Sequence, residues 1–400
     1  MHEGSGHTLS FFDDEGVLHM FVQTEAQQQW VTKLQQHADL FTAEAAERDE
    51  TRTFPLAQIE WLAQQGYGAL TLPTNFGGAG FNVTDMIVVQ ETLAALDGST
   101  ALAIGWQLGV VGDLYEKKLW SPELLTFLAD EIKDGALINR NASEAATGSP
   151  MRGGRPETTA VRQGDFWVLN GHKTFSTTSP ALRYFVVTAW CEEKEAVCHF
   201  LVPKDSEGLT LEKTWNTVAM RATASDDLLL RNVQVPLHYL VEDTVRAQQL
   251  NGWLLHIPAC YLGIAQAARN YAIHYAKTYA PNSINTTISE LPNVQMHIGQ
   301  MEQELLEMRH FLYSVARMYD DAALRPQLSE ELGAAKIKVL NGAINVIDIA
   351  MRLCGAHSLQ MTCPLQRYYR DVRAGLHNPP MEDITVMKLA QHALHTFEGG

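Results

Sequence analysis

Cysteine is scarce: the 400 residues hold five, an odd number, at positions 191, 198, 260, 354 and 363, with no CxxC spacing. That excludes a disulfide framework and a thiolate zinc site, and leaves reduced, partly buried thiols of the kind expected in a cytoplasmic protein. Long apolar runs are missing as well. No uninterrupted stretch approaches the roughly eighteen apolar residues of a membrane helix, and the start, MHEGSGHTLSFFDDEG, lacks a basic segment followed by an apolar one. Neither a membrane span nor a signal peptide is expected. Positive charge is outnumbered, with 30 Lys and Arg against 46 Asp and Glu, a net charge of −16 and a pI near 5.4. This argues against nucleic acid or an anionic membrane as the main partner, although a local basic pocket can still hold a phosphate.

What the chain does have is apolar material for a large interior, 46% hydrophobic with 19% charged residues, spread over a length that suits two or three domains. Residues 1–23 form an extension of uncertain structure, in which SFF and VLHMF flank a turn-like DDEG. From Thr24 the texture is helical: Trp30, Leu34, Ala38 and Phe41 follow at three- and four-residue steps. A second helix is expected from Pro55 to the Gly66/Gly68 pair, a loop at LPTNFGGAG (72–80), and further helices over 83–97, 99–117 and 122–133. The spacing changes at Gly135. Short β-branched and aromatic runs separated by Gly, Asp, Asn and Pro predict a small barrel or sandwich over 135–242. Helical texture then returns and fills 243–400, with Met301, Leu305, Met308, Leu312 and Val315 on one stripe, as in a bundle. The fold class is therefore α+β multidomain, in the order 24–134 all-α, 135–242 β, 243–400 helical bundle.

The stretch 139–182 concentrates the chemistry. Two clusters of small hydroxyl residues, ASEAATGS and TFSTTSP, bracket the alternating strand DFWVLNG. Such clusters place hydroxyls and backbone N–H groups around a planar, anionic ligand.

At this point the chain resembles the acyl-CoA dehydrogenase superfamily, from about residue 25 to 395. The resemblance rests on ASEAATGS (142–149), similar to the family's TEPxxGS; on LNGHKTFST (169–177), similar to NGxKxWIT; on MRAT (220–223) with NVQVP (232–236); and on QRYYRD (366–371), similar to ERYYRD. It implies an N-terminal helical domain, a middle β-domain and a C-terminal four-helix bundle, with FAD, or alternatively FMN, bound between them, and a homo-oligomer, usually a tetramer. Position by position it sets Ser143 near the pyrimidine edge of the flavin. Gly148 and Ser149 fall in the turn whose serine approaches the pyrophosphate, Phe175 takes the place of the usual Trp, and Thr177 stands near flavin N5. Fixed hydroxyls and N–H groups there would stabilise the charge of a reduced flavin. The activity implied is α,β-dehydrogenation of an acyl thioester such as an acyl-CoA, with electrons passed to an acceptor or reductase partner.

The pattern departs from the family where a proton must be removed. Most members place a Glu in a YEGT string after YYRD, but here the stretch is RAGLHNPPMED (373–383) and ungapped counting puts Pro379 at that position. Some relatives carry the Glu on an earlier helix, and counting back from GIAQ (263–266) reaches Trp253. Three groups are candidates to act instead: Glu382 and Asp383, also ordinary helix N-terminal residues, and His377, whose LHNP string is similar to the LHDP-type ending of flavin-dependent monooxygenases of the same superfamily. Its titration range suits acid–base work. The family's RxxFG is replaced by AKTYAPNS (276–283), where Lys277 offers a point charge without the bidentate geometry of Arg, and GGxG is reduced to CGAHS (354–358). Two other readings stay open beside the dehydrogenase: a two-component monooxygenase supplied with reduced FMN, and a non-catalytic member.

Overall fold

A computed structural model describes residues 20–148, 154–243 and 251–397. Thr24 opens the helical domain with a reciprocal cap, its hydroxyl accepting from the Gln27 amide while the Gln27 side chain accepts from the Thr24 N–H. The helical stripe expected to run through Phe41 is divided into α1 (Glu25–Gln36), α2 (Ala38–Thr42) and α3 (Ala45–Thr51). His37 leaves the helical region and its ring bonds back to the Lys33 carbonyl at 2.9 Å, so the chain bends there while Leu34 and Phe41 both stay buried. Three longer elements follow α4 (Leu56–Gln64): α5 (Val83–Leu96), capped by Asn82; α6 (Gly98–Lys117), capped by Asp97; and α7 (Pro122–Lys133), capped by Ser121 with Pro122 in its first turn.

The β-domain is one eight-stranded sheet. Its strands are β1 (Leu137–Asn141), β2 (Thr159–Gln163), β3 (Phe166–Ser176), β4 (Leu182–Cys191), β5 (Ala196–Pro203), β6 (Leu209–Glu212), β7 (Asp226–Pro236) and β8 (Leu240–Glu242). The order is β6-β7-β3-β2-β4-β5-β8, with β1 paired in parallel to β4. The three-residue β8 closes the expected 135–242 span and is too short to show a period. The long β3–β7 ladder slips in register between Lys173 and Ser176, where β3 enters the second hydroxyl cluster.

The C-terminal domain is built from α8 (His256–Thr278), α9 (Pro292–Asp320), α10 (Ser329–Cys354), the short α11 (Pro364–Asp371) and α12 (Glu382–Thr396). α8, α9 and α10 pack on one another, and α8 also packs along α5, so the two helical domains share a continuous core. The run Ser329–Leu359 is long and apolar enough by composition to cross a membrane, although Lys336, Lys338, Asp348 and Arg352 interrupt it; 56% of its most apolar window is buried inside the bundle. All five cysteines are free and buried.

Candidate active site

Two loops meet at the end of β3. Residues 175–179 and 220–225 are joined by Thr178 N–H to the Thr223 carbonyl (3.1 Å), Ser179 Oγ to the Ala224 carbonyl (3.2 Å) and Thr177 Oγ1 with Ser225 Oγ (2.8 Å). Both loops hold non-glycine residues in the left-handed region: Phe175 (φ 58°), Thr178 (φ 69°), Met220 (φ 50°) and Ala224 (φ 42°). For a β-branched residue this conformation is costly, and clustered strain of this kind marks functional sites. Phe175 is 62% exposed, its ring held edge-on to Trp215 at 5.8 Å. Thr178 Oγ1 donates to the Ala103 carbonyl at 2.8 Å, which sets α6 against the same corner.

The preceding hydroxyl cluster is fixed from its inner side. Thr188 Oγ1 lies 3.4 Å from the Ala142 carbonyl, Thr174 N–H donates to the Ser143 carbonyl at 2.9 Å, and the Glu144 carboxylate takes five donors. These are Thr147 Oγ1 (2.8 Å), Glu157 N (2.7 Å), Thr158 N (3.0 Å), Thr158 Oγ1 (2.6 Å) and Lys173 Nζ (2.7 Å). Burial would raise the Glu144 carboxyl, yet Lys173 and Thr158 hold it down to about 2. Burial pushes the Lys173 ammonium down to about 8 against the opposing pull of Glu144. Reciprocal backbone bonds between Glu144 and Gly148 (3.0 and 2.9 Å) close the turn, with Gly148 at φ 71°, a conformation glycine adopts without penalty. Gly171 is required for another reason: a Cβ there would lie 2.2 Å from Thr158 Oγ1, one of the donors to Glu144.

The site residues expected from sequence fall into two groups. Ser143, Gly148, Phe175 and Thr177 are brought together by β3 and the clamped turn, while Ser149 lies outside the described residues. His377 is exposed at the end of a 3-10 turn, Val372–His377. The loop is seated by its neighbours: Asp371 accepts from the Met220 N–H, Tyr261 donates to Asn378 Oδ1 (2.5 Å), and Gly375 packs against Leu340 and Tyr261. The His377 loop thus starts from the same 220–225 segment that borders Thr177. Glu382 and Asp383 are the first two residues of α12, where the helix dipole favours carboxylates. Lys277 is exposed in the last turn of α8; nearby, Tyr275 is stacked between Tyr279 (5.1 Å) and His357 (5.0 Å). Trp253, at the other family base position, is buried against Gly112 and donates to Glu116 at 3.1 Å.

Glu144, Lys173, Thr223 and Ser225 were not among the site residues expected from the sequence. A signal for the first two was present: Lys173 stands at an inward position of β3, and a buried lysine requires a carboxylate. Hydroxyls accounting for Thr177 were harder to find, because Thr223 and Ser225 are 45 or more residues away in sequence.

An exposed aromatic ring, a run of hydroxyls and a clamped glycine turn meet where the β-sheet borders the helical domains, an arrangement able to hold a planar ligand. Thr174 and Ser176 alternate with the exposed Phe175 along β3, and their hydroxyls are buried without a hydrogen-bond partner among the described residues. Family profiles of the acyl-CoA dehydrogenase N-terminal, middle and C-terminal domains match residues 24–118, 140–233 and 245–376. YdbM of Bacillus subtilis (strain 168) is 53% identical over 379 residues, covering 94% of this chain and 100% of that protein. The chain belongs to the acyl-CoA dehydrogenase family. In fold it is similar to butyryl-CoA dehydrogenase from Megasphaera elsdenii, with a TM-score of 0.83 at 19% identity over 93% of this chain and 99% of that one. It is equally similar to TdsC from Paenibacillus sp. A11-2 in complex with FMN and indole, with a TM-score of 0.82 at 20% identity over 94% and 98%.

Proposed function

We propose that the chain is a flavin-dependent monooxygenase of the acyl-CoA dehydrogenase fold, supplied with reduced FMN by a separate reductase and acting on a small molecule. The observation that carries this reading is the His377 loop. Residues 372–381 contain no carboxylate, and the alternative base position is filled by Trp253, whose indole is packed against the α6 backbone. Removing the α-proton of an acyl thioester needs a base at one of these places. Oxygenation does not.

When bound, reduced flavin supplies the electron pair that activates oxygen. That pair and its two protons would balance entry of one oxygen atom into the substrate with release of the other as water. The chain's own groups do the remaining work. Phe175 would cover the ring and exclude water, Ser143 and Thr177 would orient its polar edge, and the clamped turn at Gly148 would hold the phosphate. His377 moves protons at the substrate, held in place by the Tyr261–Asn378 bond. FMN is preferred to FAD in this reading. The bidentate Arg that grips the pyrophosphate of FAD is replaced by Lys277, and the neighbouring surface is taken up by the Tyr279–Tyr275–His357 stack.

The second reading, dehydrogenation of an acyl-CoA with Glu382 or Asp383 as base, is favoured by the family match. The two are separated by mixing flavin-loaded protein anaerobically with acyl-CoAs of several chain lengths, and by following oxygen uptake when reduced FMN is supplied. No bleaching together with substrate-stimulated oxygen uptake supports the monooxygenase; bleaching by any acyl-CoA overturns it. FMN binding with neither response leaves the third, non-catalytic reading.

A further inference from the structure

The first described residues enter the fold beside an open apolar groove. Phe21, 2% exposed, is held on α9 by the His310 ring (5.2 Å, edge-on), the Tyr313 ring (4.6 Å) and the Arg317 guanidinium (5.9 Å). His310 also belongs to the wall of a groove of about 780 Å³ between α9, α10 and α12, whose apolar lining is Phe311, Ala334, Ile337, Val386 and Leu389. The described residues leave this lining open: Val386 is 50% exposed, and Thr385 is the one side chain that α12 buries. The rim offers no unmatched cation, since Lys338 binds Glu307 at 2.7 Å and Glu304 at 3.5 Å. An apolar occupant therefore suits the groove better than a charged one.

We propose that the groove is the docking site of the chain's own N-terminal extension, residues 9–19, with Phe11, Phe12, Val17 and Leu18 laid against α10 and α12. Reach favours this occupant. Val17 and Leu18 stand four and three residues before Phe21, within about 10–14 Å of it at about 3.3–3.6 Å per extended residue, and packed helix axes lie only about 8–10 Å apart. A turn at DDEG (13–16) would bring Phe11 and Phe12 back beside them and leave its three carboxylates in water. Tethering favours it too. A segment fixed at the rim bears none of the association cost that a separate partner or a second copy must meet, and its effective concentration is on the order of millimolar for a linker this short. Docking adds apolar contacts to α12, whose first residue, Glu382, follows His377 by five positions, and it is independent of which reaction the flavin site performs.

The test is disulfide trapping in the full chain together with hydrogen exchange. Leu18→Cys combined with Phe311→Cys is oxidised and run on a non-reducing gel; the five native thiols are buried and set the background. The expected product is a cross-linked monomer that migrates faster until reduced. It should be absent when Leu18→Cys is combined instead with Leu56→Cys, at an exposed position of α4. In the second measurement the unaltered chain is compared with the Phe11→Ser, Phe12→Ser double variant, whose changes lie ahead of every described element. Amides of α12 should exchange at least about tenfold faster in the variant, because burial of one large apolar side chain is worth that factor or more. If the Phe311→Cys chain does not fold, Val386→Cys on the opposite wall takes its place. A cross-link at dimer mass gives the groove to the extension of a second copy, and absence of any cross-link, or α12 exchange unchanged by the variant, gives it to another partner or to none. Each of these results overturns the inference.

Discussion

Glu144→Gln, Lys173→Met and their combination separate what the buried ion pair does for folding from what it does for the ligand. Burial disfavours both charges: it would raise the Glu144 carboxyl, which Lys173 and Thr158 instead hold down to about 2, and it takes the Lys173 ammonium down to about 8 against the pull of Glu144. The desolvation of the two ions opposes their attraction, so the intact pair adds little net stability. Loss of either partner alone leaves a buried charge without compensation and costs about 3–5 kcal/mol. In urea unfolding at neutral pH, each single variant should lose that amount, while the double variant recovers most of it through a large coupling energy. FMN affinity should follow a different course. The double variant, although folded, loses the Lys173 bond that ties the Glu144 side chain to β3 while keeping the Thr174–Ser143 backbone bond, and its affinity should fall about tenfold, the effect of losing one or two well-placed contacts. A double variant that binds FMN like the parent, or single variants that lose under about 1 kcal/mol, would refute this account of the pair.

Gly171→Ala should destabilise by about 1–3 kcal/mol, since its Cβ collides with Thr158, and thermal melting checks this. His377→Gln should leave FMN affinity unchanged, because the side chain is exposed and outside the ring-binding group, while substrate-stimulated oxygen uptake falls about 10²-fold or more. Burial raises Asp371 to about 7 against an ordinary 3.8, so the folded state holds a proton that the unfolded state has released. Its contribution is complete below about 3.8 and is lost as pH rises through about 7, and Asp371→Asn should flatten that decline in urea melts between pH 5 and 8. Burial depresses His256 to about 3 against 6.5, so stability falls as pH drops from about 6.5 toward 3, where only the unfolded chain takes up the proton. A His256→Leu variant should show a shallower acid slope.

The domain order was legible because it rests on long signals. The stripe from Met301 to Val315 is one face of a single helix, and the change at Gly135 is a change of period. Local breaks were not legible: no glycine or proline marks the end of α1 at His37, where the ring bonds back to the Lys33 carbonyl and packs on Trp61 of α4. The outward-facing half of the site was also accessible, because Ser143, Phe175 and Thr177 stand in two short strings. What supports them was not. The Thr177 hydroxyl pairs with Ser225, brought up by the 220–225 loop, and the Glu144 carboxylate is held by Thr158 and Lys173. Glu382 and Asp383 show the reverse limit, since a string that permits a catalytic carboxylate also permits the ordinary start of α12.

Trp253 bears on how this chain could change in the future. Gly112 gives up its side chain to admit the indole, with a would-be Cβ only 2.2 Å from the ring, and Glu116 binds the indole nitrogen together with Tyr319 and Arg325. A glutamate placed at 253 would leave a void beside Gly112 and bring a second carboxylate toward Glu116. Both neighbours would have to change before such a base was of any use.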